Sequence, residues 1–176
     1  MMECRDVRSF KRREIIPVKN NMLWQLRVGA VRTFTLSEDG SMIPLGFWCV
    51  GDMFGQPLNC TQPFMIECLT DVKAVMFISD QCKLLDQAML SHIYQMQSLL
   101  VIRHGQVRQR LESFLQWLAN KFGCPSCQGQ LILLRLTHQD MADAIGTTRV
   151  TVTRLLQELE KAQVISWSQQ RQIVLH

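Results

Sequence analysis

The sequence lacks the features of membrane, secreted and catalytic proteins. None of its apolar runs approaches the roughly 18 residues that a membrane-spanning helix needs. The N-terminus has no apolar core like that of a signal peptide, so we expect a cytoplasmic protein without a membrane partner. It also has no nucleophile beside a base, no paired carboxylates in a cleft-like setting and no glycine-rich phosphate loop, so we expect no catalytic residues and no enzyme activity.

Cysteine is present without the pattern of a disulfide framework or a metal site. The chain has seven cysteines, an odd number without regular spacing, which indicates reduced thiols. Cys124 and Cys127 have the spacing of a zinc half-site or a dithiol switch. His104 and His138 are the only suggested further ligands, and no N-terminal cluster could hold an iron–sulfur centre. We therefore expect an ordinary turn at these two thiols, no metal and no cofactor.

Positive charge is concentrated towards the C-terminus. The formal net charge is +4, and residues 107–176 carry eight Lys and Arg against five Asp and Glu. A basic C-terminal segment suits a phosphate backbone as partner, although an excess this small only supports a motif and does not establish one.

Residues 137–156 predict two short helices joined by a glycine, the pattern of a DNA-binding helix-turn-helix. Thr137 can cap the first helix, and Met141 and Ile145 form its apolar stripe. Gly146 permits a sharp turn, and Thr148 can cap the second helix.

The second helix of this motif has two different faces. Its inner face is apolar and contains Val152, Leu155, Leu156 and Leu159. Its outer face contains Arg149, Val150, Thr153 and Arg154. Two arginines five residues apart suit guanine recognition in a major groove, so double-stranded DNA is the expected partner.

Three segments are predicted along the chain. Residues 1–79 form a β-rich domain, with strands at 22–28, 31–36, 42–49, 64–69 and 72–78 and a hairpin turn at Asp39-Gly40. Ser79-Asp80 starts a helical region, residues 80–106, with an apolar stripe at Leu84, Leu85, Ala88, Met89, Ile93, Met96, Leu99, Leu100 and Ile102. Met89, Ile93, Met96 and Leu100 are the expected dimer contacts. Such a stripe must be buried, and we expect it to pack against the same helix of a second copy of the chain. Packing of the helix against the β domain of its own chain is the alternative.

Residues 107–176 are predicted to form a winged helix-turn-helix. An amphipathic helix ends at Gly123 in a left-handed cap, and a loop at residues 124–129 leads to a strand at 131–136. Strands at 164–168 and 171–175 form the wing. A hinge at His104-Gly105 is expected to separate this domain and its amphipathic helix from the helical region at residues 80–106.

This order resembles the CRP/FNR superfamily of bacterial transcription regulators, and residues 145–156 look most like its cyanobacterial branch typified by the nitrogen regulator NtcA. Gly29-Ala-Val31 and Gly51-Asp-Met-Phe-Gly55 resemble landmarks of the family's sensor domain. The resemblance implies an α+β fold with an N-terminal β-roll (cupin-like) sensor domain, a long dimerisation helix and a C-terminal winged helix-turn-helix.

The resemblance also implies a homodimer on palindromic DNA, with half-site centres roughly 34 Å apart, and RNA polymerase as a further partner. The cyclic-AMP receptor branch has a glutamate where this chain has Val150, which can offer only apolar contact, for instance to a thymine methyl. With Arg149 and Arg154 present, we expect a GTA-N8-TAC-like site. Gln139 and Thr148 would contact phosphates.

The candidate effector residues lack the charges that the family's ligands require. Gln56 stands where a cyclic-nucleotide pocket has glutamate, and Gln62-Pro63 stands where it has an Arg-Ser pair, so cyclic AMP binding is not expected. Phe54 and Gly55 match the branch that responds to 2-oxoglutarate, a dianion that requires arginines near this turn and on the long helix. Arg103 is the candidate for the arginine on the helix. Gln62, however, is uncharged and cannot supply the positive charge near the turn. The chain also has few residues before the β domain, which favours an effector-independent or partner-controlled sensor.

Two functions therefore remain in consideration. The first is a sequence-specific transcription regulator, expected from the helix-turn-helix. The alternative is a sensor responsive to 2-oxoglutarate or redox state that acts mainly through protein contacts. The effector, the target genes, the choice between activation and repression, and any role of Cys124 and Cys127 are left open by the sequence.

Overall fold

The structure, a computed structural model, describes residues 7–78 and 85–176. The chain divides into two compact units, one up to Leu99 and one from Leu100 onward. Among the described residues, no helix is both long enough and apolar enough to cross a membrane.

The described part of the N-terminal unit is built mainly from seven strands. They are β1 (Val7–Phe10), β2 (Met22–Val28), β3 (Val31–Leu36), β4 (Met42–Trp48), β5 (Met53–Gly55), β6 (Met65–Cys68) and β7 (Val72–Ile78). The predicted bounds of β2, β3 and β7 are confirmed, and those of β4 and β6 are one residue too long at one or both ends. The predicted hairpin turn is confirmed as well, since β3 pairs antiparallel with β4 around Asp39 and Gly40.

The strands form two sheets that share one core. One sheet has the order β1-β7-β2-β5 and the other β4-β3-β6. Buried side chains from both sheets, among them Trp24, Val31, Trp48, Phe54 and Ile66, belong to one cluster. Burial of these apolar surfaces is the main stabilisation of the unit. The predicted β-rich domain is confirmed.

Strands β1 and β5 were not predicted from the sequence. In β1 only Phe10 is buried, because it pairs as an outer strand with β7 and its other side chains face solvent. In β5 all three residues are buried, so no alternation marks them, and they pair with β2. Both strands are too short to show a period in the sequence.

Helix α1 (Leu85–Ile102) has one face against its own β-rich unit. His92 stacks on Trp48 with ring centroids 4.0 Å apart, and its Nε2 lies 3.0 Å from the carbonyl oxygen of Met53. The amide oxygen of Gln95 accepts a hydrogen bond from the backbone N–H of Phe47. The predicted start at Ser79-Asp80 lies outside the described residues.

The part of the α1 surface beside this packed face is apolar and exposed. It presents Met89, Ile93, Met96 and Leu100, the four predicted dimer contacts, together with Leu90, Tyr94 and Val101. The alternative of packing on the β domain thus accounts for one face of this helix only. The predicted stripe is therefore divided, since Ala88 and Leu99 are buried and the four predicted dimer contacts are exposed.

The C-terminal unit packs three helices and a four-stranded sheet. The helices are α2 (Val107–Phe122), α3 (His138–Ile145) and α4 (Arg149–Lys161). The strands are β8 (Gly123–Ser126), β9 (Gly129–Ile132), β10 (Ile165–Trp167) and β11 (Ile173–Leu175), in the order β10-β11-β9-β8. The β10–β11 hairpin is the predicted wing.

The predictions of a cap and a loop at the end of α2 are wrong. Gly123 ends α2 in an extended conformation, with φ −94° and ψ 159°, and not in a left-handed cap. Glycine fits there because a Cβ would lie 2.0 Å from the carbonyl oxygen of Ala119. The chain then continues directly into β8, so the predicted loop at residues 124–129 is a strand followed by the turn at Cys127 and Gln128.

The strand predicted at residues 131–136 ends at Ile132. Beyond that point the alternation persists, since Leu134 and Leu136 are buried and Leu133 is exposed. The pairing of β11 with β9, however, covers only Leu131 and Gln130. An alternating pattern reports burial, and a strand also requires a neighbour with which to form hydrogen bonds.

Phe114 should be essential to the stability of the C-terminal unit. Its side chain is fully buried on α2, so we expect Phe114→Ala to lower the free energy of unfolding by about 3–5 kcal/mol. Urea denaturation followed by circular dichroism measures the change. Leu133→Ala is the control, because Leu133 is 53% exposed; equal losses in the two variants would contradict the assignment of this core.

Candidate nucleic-acid interface

Helix α3 and the turn after it have the local structure that the sequence predicts. The Thr137 hydroxyl accepts from the backbone N–H of Asp140, and the Asp140 carboxylate accepts from the backbone N–H of Thr137. This reciprocal capping satisfies two N–H groups at the start of the helix. Gly146 then adopts a left-handed conformation, with φ 66° and ψ 59°, which favours glycine.

Helix α4 begins at the third residue after Gly146 and separates its apolar and polar residues as predicted. The Thr148 hydroxyl accepts from the backbone N–H of Thr151 and caps the helix. The four residues of the predicted inner face, Val152, Leu155, Leu156 and Leu159, are all buried. Burial of this side turns the opposite side of the helix towards solvent.

The exposed side of α4 carries two arginines and a valine. Val150 is 78% exposed, unusual for an aliphatic side chain, and Arg149 lies beside it at the first helical position. The guanidinium of Arg154 lies 2.5 Å from the Glu158 carboxylate one turn along the helix. Because this pair is exposed, it contributes little to stability and can exchange partners readily.

Thr153 is less free than the sequence suggests. It is half-buried, and its hydroxyl donates to the carbonyl of Arg149. The same oxygen lies 2.7 Å from Nδ1 of His138. Since the hydroxyl has one proton, the imidazole must donate from Nδ1 in this arrangement.

His138 therefore links α3 to α4, a role that the sequence reasoning missed. Burial and then the positive charge of Arg149 lower the pKa of His138 and favour the neutral ring. The spacing of 15 residues between His138 and Thr153 contains no local signal for this contact.

The two predicted phosphate contacts also have partners within the protein. Gln139 lies on the first turn of α3, and its amide donates to the Asp143 carboxylate at 2.7 Å. The Thr148 hydroxyl is engaged in capping and lies 2.9 Å from the Thr151 hydroxyl. The hydrogen bond of the Gln139 amide is with a neighbouring side chain on the surface, so DNA can compete for it.

The candidate effector residues of the β-rich unit lie in different environments. The ring of Phe54 is fully buried in the core between the sheets, and Gly55 pairs with Leu23 in β2. Gln56 donates to the carbonyl of Asn59 at 3.4 Å, whereas Gln62 is exposed. None of these groups supplies a positive charge.

Arg103, the fifth candidate effector residue, belongs to the C-terminal unit and forms its hydrogen bonds within that unit. Its guanidinium donates to the backbone carbonyls of Asp143 and Ala144, both at 3.0 Å. Arg110 donates to the next carbonyl, that of Ile145, at 2.8 Å. The sequence reasoning assigned Arg103 to a ligand and did not single out Arg110.

The thiols within residues 7–78 and 85–176 show no arrangement for a metal. Among the described residues, no group of three or more His, Cys, Asp or Glu side chains could hold an ion. Cys124 lies in β8 and is half-buried, whereas Cys127 is exposed in the turn. Burial raises the pKa of Cys68 to about 12, with Glu14 and Glu67 adding to the effect, which makes this thiol unreactive.

Comparison with known proteins agrees with this geometry. Residues 109–176 match the family described as the Crp-like helix-turn-helix domain. FixK2 from Bradyrhizobium japonicum has a similar structure, with 20% identity, a TM-score of 0.82, and coverage of 98% of this chain and 92% of that one. A CRP-family transcriptional regulator from Thermus thermophilus aligns with a TM-score of 0.80 at 23% identity, over 96% of this chain and 91% of its own. Both likenesses concern the fold.

Sequence relatives extend the agreement to the family. The regulatory protein CysR of Synechococcus elongatus is 39% identical over 154 residues, which cover 86% of this chain and 75% of CysR. The global nitrogen regulator of the same organism is 43% identical over 86 residues, 48% of this chain and 39% of that protein. The expected resemblance and fold class are confirmed. The chain belongs to the CRP/FNR family of transcription regulators and carries that family's helix-turn-helix DNA-binding domain.

Proposed function

We propose that this regulator acts as a homodimer that reads a GTA-N8-TAC-like palindrome through the exposed side of α4. The observation that carries the proposal is the division of α4 into a buried apolar side and an exposed side with Arg149, Val150 and Arg154. A helix of this kind can enter a major groove without uncovering its own core.

The three exposed side chains suit different parts of a half-site. An arginine fork can bind the O6 and N7 acceptors of guanine, and Arg154 can exchange Glu158 for such a base. Val150 can make only apolar contact, which fits a thymine methyl. Thr153, held by His138, would fill the space between them and fix the position of the neighbouring side chains.

The proposed dimer uses the exposed side of α1. Met89, Ile93, Met96 and Leu100 are each about half exposed or more, at helical intervals along one helix. Contiguous apolar surface of this kind marks a site of protein association. A second copy of the same helix is the partner that a palindromic DNA site requires.

The proposed regulator works without a small-molecule effector and is governed by its amount or by a protein partner. Support comes from Gln56 and Gln62, which cannot neutralise an anion, and from Arg103, whose guanidinium binds backbone carbonyls. RNA polymerase is the expected protein partner at the promoter.

Removal of Arg154 should abolish discrimination between DNA sequences. Loss of one bidentate contact per half-site costs about 1–3 kcal/mol of discrimination. We therefore expect Arg154→Ala to bind a GTA-N8-TAC duplex little better than a scrambled one in an electrophoretic mobility assay. Wild-type binding should weaken steeply with salt.

Arg108→Ala is the matched control, because it removes the same charge from an exposed position on α2. It should retain discrimination. If the wild-type protein binds no duplex enriched from a random pool, the proposal of sequence-specific binding fails.

A charge in the α1 surface should prevent dimer formation. Ile93→Glu places a carboxylate among apolar side chains, where its desolvation is unfavourable. We expect the variant to sediment as a monomer in analytical ultracentrifugation, while the wild type sediments as a dimer.

Gln116→Glu introduces the same charge at an exposed position on α2 and should remain dimeric. A dimer of unchanged stability in Ile93→Glu, or a wild type that is monomeric at micromolar concentration, would contradict the proposed interface.

Addition of 2-oxoglutarate should leave DNA affinity unchanged. The dianion requires cationic partners, and the candidate residues on the β-rich unit supply amides in their place. The same mobility assay, with millimolar 2-oxoglutarate, measures the effect. A tenfold gain in affinity would instead favour the ligand-responsive alternative.

A further inference from the structure

The carbonyl end of α3 is held by two arginines from outside the motif. A helix leaves its last carbonyl groups without partners in its own turns. Here the last three carbonyls of α3, those of Asp143, Ala144 and Ile145, and the carbonyl of the next residue, Gly146, accept hydrogen bonds from Arg103 and Arg110. The distances are in order 3.0, 3.0, 2.8 and 3.3 Å. We call this arrangement the arginine clamp.

The two arginines reach this end of the helix from different elements. Arg103 directly follows α1 in the link to α2, and Arg110 lies in the first turns of α2. Arg103 uses Nε and Nη2 on adjacent carbonyls, a two-donor geometry that the planar guanidinium supplies and that an ammonium group lacks.

The clamp keeps its positive charge in spite of burial and of two neighbouring cations. Burial lowers the pKa of Arg103, Arg110 lowers it further, and Asp143 opposes both effects. The negative end of the α3 dipole lies at the same carbonyls and favours positive charge there. Arginine remains protonated under these conditions because its ordinary pKa is far above neutrality.

The clamp acts where it can set the direction of α4. Only Thr147 and Thr148 separate the last clamped carbonyl, that of Gly146, from the first residue of α4. The N–H of Thr147 also returns to the carbonyl of Ala142, so the turn is fixed from both sides. A small rotation of this turn would move Arg149 and Val150 relative to a base pair, and recognition depends on such geometry.

We propose that Arg103 and Arg110 are positioning residues for sequence-specific DNA recognition. They hold the turn between α3 and α4 and do not themselves touch DNA. The proposal rests on the function proposed above, since the recognition that they support is that of α4.

Arg103→Ala tests the proposal against Arg108→Ala. Both variants lose one arginine near the start of α2, but Arg108 is exposed and pairs within α2, with Glu112. Loss of two charge-assisted hydrogen bonds should weaken binding to the specific duplex by about tenfold or more at fixed salt, relative to the control. Binding to a scrambled duplex should fall equally in the two variants, because both lose the same charge.

Arg103→Lys should recover part of the loss, since lysine restores the charge without the fork. If thermal denaturation shows that Arg103→Ala does not fold, Arg103→Lys replaces it in the binding test. A specific-to-scrambled affinity ratio equal to that of the wild type in both Arg103 variants would overturn the proposal, whatever their melting temperatures.

Hydrogen–deuterium exchange of residues 142–151 gives a readout that is independent of DNA. We expect faster exchange in Arg103→Ala than in the wild type or Arg108→Ala, and equal rates would show that no clamp exists. If the wild type does not discriminate between the specific and the scrambled duplex, the proposed function is wrong, and the positioning role of Arg103 and Arg110 is wrong as well. Normal wild-type discrimination with an unchanged Arg103→Ala would refute the positioning role alone.

Discussion

An eight-residue helix has too few internal hydrogen bonds to form by itself in water, and α3 has that length. Its stability therefore depends on what happens at its two ends. The reciprocal cap of Thr137 and Asp140 satisfies the first, and the left-handed Gly146 with the arginine clamp satisfies the second. Only Thr147 and Thr148 separate this second end from α4, so the proposed positioning of α4 depends on the same constraint.

Several polar side chains of the proposed DNA interface have partners within the protein. Arg154 pairs with Glu158, and the hydroxyl of Thr153 lies between His138 and the α4 backbone. These contacts differ in how easily they can be exchanged. The exposed ion pair is weak and can yield to a base, whereas the half-buried hydroxyl is held from two sides and keeps its position.

Helix α1 shows why a hydrophobic stripe alone did not decide its packing. The stripe suggested either a partner helix or the protein's own β domain, yet the helix has two sides that can pack. The side against the β-rich unit includes His92 and Gln95, which are polar and were not part of the stripe. Within the stripe, Ala88, Leu99 and Ile102 are buried, whereas Met89, Ile93, Met96 and Leu100 are exposed. Stacking on Trp48 and a hydrogen bond to a strand do not follow a helical period of hydrophobicity.

The sequence by itself determined the helix-turn-helix, because its signals are local: a cap at Thr137, a glycine at 146, a cap at Thr148 and an apolar face on α4. It also determined most of the strands, where side chains alternate or form a continuous apolar run. Only the tertiary structure decided the contacts of Arg103, Arg110 and His138. The carbonyl partners of Arg103 lie 40 and 41 residues away, and those of Arg110 lie 35 and 36 residues away. A backbone carbonyl has no side-chain identity, so a contact with it leaves no pattern in the sequence, and folding alone brings these groups together.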